Sequence, residues 1–399
     1  MRKPANGRAS KEIDETRAVA HLMDLLTVPG LSGAEARVAA EVRRKLAAAG
    51  CRKSWVRHDR AHQKIPGNFE VGNLIVKLPG TVPGPRRLFV GHLDTVPLCA
   101  GAVPIRRGRR IVSRGPTALG GDNRTAVACL VTLVETLLTR GLPHPPLTVL
   151  FTVGEETGLW GARFVDFHDL GRPLMGFNID GGPPAVLATG AVGAERWQVT
   201  LHGISSHAGV HPEHGVSATL IAARAIAEVA ARGFFGLIRD GRRRGTSNVG
   251  RIHGGQVDNQ VTDLVRVTGE SRSHDPDFTR RITEEYRRAF ERAARGVRNH
   301  RGRPGRIRFE ATTAYAPFRL DPRSEVVRAA QAAARASGLR PRSISADGGL
   351  DANWLNARGL PTITFGAGQH APHTVDEYVD LREYLAGCRM ALALATSRS

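Results

Sequence analysis

Five short segments gather the residue types that hold metals or move protons. They are GHLDTVP at 91–97, LGGDNRTAV at 119–127, TVGEETGLWGA at 152–162, NIDGG at 178–182 and QHAPHTVDE at 369–377. Taken singly, each has an ordinary use. His92 is a plausible packed histidine, Asp122 stands where a helix cap is expected, Glu155-Glu156 reads as a solvated helix start, and Asp180 before two glycines reads as a turn. Together they form a pattern, because each follows an apolar run or lies in a connecting loop. In open α/β sheets, ligands bind beyond the carboxyl ends of the strands. Two histidines, three carboxylates and one glutamate left over suit two divalent metals with imidazole and oxygen ligands and no thiolate.

The elements that must position these residues can be read from hydrophobic periodicity. Apolar runs at 72–78, 87–90, 147–153 and 176–179 predict strands, and 123–138 predicts a helix between the second and third. Ser32-Gly33-Ala34-Glu35 reads as a capping box. It opens a helix with Val38, Val42 and Leu46 on one face, and Gly50 stops it. Alternating strands and helices predict an α/β domain with a mixed, largely parallel sheet and helices on both faces. Beyond Gly193 the texture changes to strand 196–202, helix 217–231, strands 247–252 and 263–270, helix 277–294 and strand 306–314. This order predicts a smaller α+β domain. After Pro322 the α/β texture returns, with helix 324–336, strand 361–365 and helix 381–395. The expected organisation is a discontinuous catalytic domain, 1–192 and 319–399, interrupted by an insert at 193–318.

Composition narrows the function classes. The 399 residues include 57 Lys+Arg and 37 Asp+Glu, a net charge of +20. Such a balance raises nucleic-acid binding as an alternative. Against it, only six of the basic residues are lysine, the arginines are dispersed with short clusters such as Arg242-Arg243-Arg244, and aromatics are 5%. A nucleic-acid surface more often clusters basic residues with stacking aromatics, whereas abundant Arg, Ala and Gly with scarce Lys reflect a GC-rich genome. The longest apolar stretch, 129–138, contains Glu135 and is too short to span a bilayer. The segment MRKPANGRASKEIDETR has no apolar core, so no signal peptide is expected. Four scattered cysteines without a CxxC pair indicate no disulfide framework and a reducing, cytoplasmic setting.

These motifs, in this order, resemble the dizinc exopeptidases and amidohydrolases that include peptidase T, carboxypeptidase G and acetylornithine deacetylase. The resemblance runs from about Glu15 to Leu394 and is nearest to the peptidase-T-like branch. It takes in HGISSHAGVHPEHGVSA and GGQVDNQVTDLVRVTGESRSHD of the insert, which look like that family's dimerisation or lid domain. The resemblance implies that Asp122 bridges two metal ions, His92 and Asp180 complete one, and Glu156 and His373 complete the other. Zinc is the expected metal, with cobalt or manganese as substitutes. Glu155 is implied as general base and Asp94 as the carboxylate that orients His92, a partner that metal-bound histidines generally have. A bridging carboxylate would hold the metals about 3.5–4 Å apart and favour activation of a shared water. His370 is a rival to His373, which the HT-x-DE context favours. Asn123-Arg124 follows Asp122 where the family commonly has Asp-Lys or Asp-Arg, so a tuned site is expected.

In the insert, the SSHAGV context selects His207, over the nearby His202, His211 and His214, as transition-state stabiliser. Asn259 and Arg272 are implied as substrate-recognition residues, Arg272 by clamping a carboxylate. A site of this kind, often shared across subunits, implies a homodimer. In the resembled family the aminopeptidase and peptidase-T-like members tend to have Asp where Asp180 stands and the deacetylases and carboxypeptidases Glu, so the resemblance implies short-peptide hydrolysis, di- or tripeptidase or aminopeptidase-like. An N-acyl-amino-acid deacylase on the same site is the alternative within the fold.

Overall fold

The structure, a computed structural model, describes residues 12–397. Residues 1–11, most of the segment read as lacking a signal peptide, lie outside the described residues. The chain divides into two compact units. One comprises the chain up to Gly190, Arg319–Ala346 and the stretch from Leu350 onward. The other comprises Ala191–Phe318 and Asp347–Gly349.

The first unit is built on a nine-stranded mixed sheet. Seven of its strands run in the order Val56–His58, Leu74–Leu78, Leu147–Thr152, Arg87–His92, Met175–Ile179, Thr362–Phe365 and Val186–Ala191. The middle four that begin at Leu147 are mutually parallel, and their neighbours on either side are antiparallel. Side-chain alternation explains the two layers of helices. Leu74, Val76, Phe89, Val149, Phe151 and Phe177 join one core with the helices Glu15–Leu26, Ala36–Ala48, Gly121–Arg140, Glu325–Ala336 and Leu381–Thr396. Ile75, Leu88, Val90 and Leu150 point the other way, onto Val165, Leu170 and Leu355. The helix Gly121–Arg140 is buried over most of its length, which is why its sequence reads as apolar rather than amphipathic. It ends at Gly141, whose φ of 59° supplies the left-handed stop.

Three features depart from the sequence reading. The residues read as a capping box do not cap: Glu35, the N-cap itself, makes no side-chain cap hydrogen bond. The Glu70 carboxylate instead accepts from the Ala36 amide. Ser32 and Glu35 turn inward to a use described below. The strands Pro104–Arg107 and Arg110–Ser113 pair as a hairpin and join Tyr378–Asp380 and Gln369–His370 in a separate four-stranded sheet. Their Arg-rich sequence carries no long apolar alternation, so cross-strand pairing rather than periodicity defines them. Arg342–Ala346 is a further short strand that pairs with Val186–Ala191.

The second unit is a five-stranded antiparallel sheet in the order Gly236–Asp240, Arg243–Gly254, Leu264–Ser273, Gly193–His202 and Arg306–Tyr315. Gly236–Asp240 is an edge strand that the sequence reading did not separate. Helices Ala218–Ala231 and Pro276–Gly296 close its core around Trp197, Tyr286 and Phe290. Ser217 and Asp275 accept amide hydrogen bonds at the two helix starts. No helix of the described residues is long and apolar enough to cross a membrane.

Candidate metal centre

The parallel strands finish level with one another. His92 lies opposite Thr152, Val90 opposite Asn178, and Phe365 opposite Ile179. The residues that end or follow these strands therefore converge at one edge of the sheet. His92 is buried, with Nε2 3.1 Å from Asp122 Oδ1. Its Nδ1 lies 3.1 Å from the carbonyl oxygen of Asp94 and 3.4 Å from Asp94 Oδ1. Asp94 is fully buried and does more than face His92. Its two oxygens accept from the amides of Glu155 at 3.0 Å and Glu156 at 3.2 Å, and from Ser32 Oγ at 2.5 Å.

Asp122 is free of the capping duty its position implied. The adjacent Asn123 takes it, accepting from the Ala126 amide at 3.2 Å while its Nδ2 donates to the Ile179 carbonyl at 2.8 Å. Asn123 thus uses a donor and an acceptor together, which an aspartate cannot do when ionised. Asp122 stays outside helical geometry and presents both oxygens, Oδ1 to His92 and Oδ2 3.4 Å from His373 Nε2. The Glu377 carboxylate fixes this turn by accepting from the amides of Leu119, Gly120 and Asp122 at 2.8–2.9 Å.

Glu155 and Glu156 leave the strand through Gly154, whose φ of 61° favours glycine. A Cβ there would also meet the Phe69 ring at 2.6 Å. The two carboxylates diverge: Glu155 is buried, and Glu156 Oε2 lies 3.0 Å from His373 Nε2. Asp180 accepts from Gln369 Nε2 at 3.0 Å. His373 sits in the connection between Gln369–His370 and Tyr378–Asp380 and holds a left-handed φ of 62°, a strained conformation for a non-glycine residue. His370 points elsewhere, 2.6 Å from Glu383 and stacked on Tyr378.

Donor atoms of His92, Asp122 and Asp180 lie within 4.8 Å of one another, as do those of Asp122, Glu156 and His373. Asp122 belongs to both groups. The electrostatics explain what such a cluster requires. Burial and the charge of Asp122 push the Asp180 carboxyl up to about 8. Burial likewise raises Glu156, and Glu155 well above the ordinary range. Burial opposes ionisation of Asp122 as well, but the His373 and His92 imidazoles more than offset it and hold that carboxyl below its usual range. Hydrogen bonds to Asp122 and Glu156 in turn raise His373 to about 10. Carboxylates crowded out of water need positive charge among them, and borderline divalent cations suit imidazole and oxygen donors. The residues present therefore fit two such ions.

Sequence reading missed the supports behind this cluster. Asp351 is buried at the start of the helix Asp351–Ala357 and accepts from Thr152 Oγ1 at 2.5 Å, tying down the strand end that leads to Glu155. Burial raises its carboxyl to about 6, and its Oδ1 has no hydrogen-bond partner among the described residues. Glu35 accepts from the Gly154 amide at 3.0 Å. A signal existed only for Glu377, which follows His373 in the same motif. Ser32, Glu35 and Asp351 lie in segments with another local explanation or none.

The second unit holds the remaining candidates. His207 and Asn259 stand on adjacent exposed loops, where the Ala208 amide donates to the Asn259 carbonyl at 2.8 Å and His207 bridges to Gln260. Arg272, on the strand Leu264–Ser273, is already held in bidentate fashion by Glu270 at 2.8 and 3.0 Å.

Comparison with known proteins gives this arrangement its class. Residues 88–397 match Peptidase family M20/M25/M40, and the chain belongs to that family. It is a hydrolase acting on peptide bonds, and its activity is metal-dependent peptide hydrolysis. Two solved structures are similar over 96% of this chain and 98% of theirs. They are a tripeptidase from Staphylococcus aureus, at 27% identity and a TM-score of 0.84, and aminopeptidase PepT from Bacillus cereus, at 30% and 0.80. Peptidase T from Vibrio cholerae is 23% identical over 361 residues, 81% of this chain and 84% of that one. These likenesses make the chain peptidase T-like.

Proposed function

We propose that the protein is an exopeptidase of short peptides, di- or tripeptidase or aminopeptidase-like, working with two divalent metal ions. The observation that carries this reading is Asp122, whose two oxygens face two different imidazoles, His92 and His373. In this reading His92, Asp122 and Asp180 hold one ion, while Asp122, Glu156 and His373 hold the other. Zinc is the first choice, with cobalt or manganese able to replace it. When bound, such ions lower the pKa of a water and polarise the scissile carbonyl.

Glu155 has a carboxylate that diverges from Glu156 and is free to act as general base. It takes a proton from the attacking water and returns it to the leaving amine. Asp94 positions three participants at once, through His92 and the amides of Glu155 and Glu156. His207 is assigned to the developing oxyanion, and Asn259 and Arg272 to substrate recognition. For Arg272 this means that a substrate carboxylate exchanges with Glu270.

The named activities of the Staphylococcus aureus and Bacillus cereus relatives support a short-peptide substrate. Exposed Ile252, Val257 and Leu264 on the inserted unit support a homodimeric contact there. Four free cysteines, three of them buried, support a reducing cytoplasmic setting.

The test is hydrolysis of a panel of di- and tripeptides beside N-acetyl amino acids, with Zn²⁺, Mn²⁺ or Co²⁺ added after chelation. Peptide cleavage restored by metal is expected. Turnover confined to the acylated amino acids, or unaffected by removing metal, would overturn the reading.

A further inference from the structure

The inserted unit carries a second group of metal-type donors that shares no residue with the catalytic cluster. The sequence HPEH at 211–214 places two imidazoles three positions apart around the short 3-10 turn Pro212–His214. In a 3-10 turn, side chains at i and i+3 lie over one another. The His211 and His214 rings accordingly stack with centroids 4.7 Å apart and planes 11° from parallel. His211 Nδ1 lies 3.3 Å and His214 Nε2 3.5 Å from the same oxygen, Glu213 Oε1. Tetrahedral zinc, with bonds of about 2.0–2.1 Å, places its ligand atoms about 3.3 Å apart. All three side chains are exposed, so an ion could reach them and fill its remaining position with water.

The backbone that carries these donors is fixed in advance. The His211 amide donates to the His207 carbonyl at 3.1 Å, and Ser206 Oγ donates to the His211 carbonyl at 2.5 Å. From the other side, the His300 amide donates to the Glu213 carbonyl at 2.8 Å and Asn299 Nδ2 to that of His214 at 3.1 Å. The His300 ring packs 4.3 Å from His214, but both its nitrogens are engaged, Nδ1 with the Glu213 carbonyl and Nε2 with Arg301. His300 is therefore a brace and not a ligand. A braced turn forfeits little conformational freedom when it binds.

We infer that His211, Glu213 and His214 form a surface site for one borderline divalent cation of the zinc, nickel or copper(II) type. Two imidazoles and one carboxylate suit such ions and disfavour magnesium and calcium, which take oxygen ligands.

The test uses the full chain, equilibrated by dialysis against micromolar free Zn²⁺. The native protein is expected to hold one zinc more per chain than the double variant His211→Ala/His214→Ala, with peptide turnover the same in both. Each single change should weaken the extra site about 10²-fold, the usual gain from joining two donors. His300→Ala should retain the ion. Equal zinc content in native protein and double variant would overturn the inference. A second measurement needs no variant: zinc should protect His211 and His214, and not the exposed His253, from carbethoxylation read by mass spectrometry. Unchanged labelling of both histidines would overturn it equally.

Discussion

The two units of this protein handle charge in opposite ways. In the first, Asp94, Glu155 and Asp351 are buried within a few side chains of one another, and Asp122, Glu156 and Asp180 crowd the same edge of the parallel sheet. In the second, the helix Pro276–Gly296 carries Arg287 between Glu284 and Glu291, and Arg288 also reaches Glu284, all in water-facing pairs. Exposed pairs of this kind are worth a few tenths of a kcal/mol and are screened by salt. Buried carboxylates are costly unless positive charge accompanies them. The lesson is that arginine content says little about function here, while the few buried acids define the chemistry.

The sharpest way to break this contrast is at Asp122. Asp122→Ala should remove the carboxylate shared by both groups, so metal content falls and turnover drops below detection. Elemental analysis beside a peptide assay checks this, and a variant that keeps both metal and rate would show that the shared carboxylate is incidental. Next in size is Glu155→Gln, which should retain metal and fold while losing about 10²–10⁴ in kcat, the usual worth of a positioned base. An equal loss of metal would make Glu155 a ligand instead.

A smaller effect separates burial from catalysis. Burial, with Asp94 nearby, pushes the Glu35 carboxyl up to about 7 from an ordinary 4.5. The folded state therefore holds this proton more tightly than the unfolded chain does. Its contribution to stability is full below pH 4.5 and is lost as pH rises to about 7, by roughly 3 kcal/mol at most. Glu35→Gln should flatten the Tm–pH curve in that window, and a native-minus-variant difference that does not change with pH would refute it. The smallest effect belongs to the inserted unit. Arg287→Ala should change stability by only about 0.5 kcal/mol, and a loss of several kcal/mol in denaturant titration would erase the contrast between the units.

Much of this organisation was legible in the sequence. Short apolar runs with Val, Leu, Ile and Phe mark the four parallel strands, since strands buried on both faces leave no polar alternation to obscure them. The strands Pro104–Arg107 and Gly236–Asp240 were not legible, because each is a short edge strand that pairs in a hairpin with the strand just after it and carries little apolar alternation of its own. The capping-box reading at Ser32 and Glu35 failed for a related reason. Local rules describe what a side chain does when only its neighbours compete for it, and here Asp94 and Gly154, far along the chain, competed successfully.

What the sequence by itself determined was the set of acids and histidines at strand ends and the family pattern they resemble. Periodicity and residue type are local properties, and the local code carries them. Only the tertiary structure decided how those groups are used. It gave the capping task to Asn123 and enlisted Asp351 and Glu377 behind the site. Each of these is a choice among side chains that local rules alone do not separate. Such a choice is made by strand register and by the direction a Cβ points once the sheet has closed, which no spacing along the chain encodes.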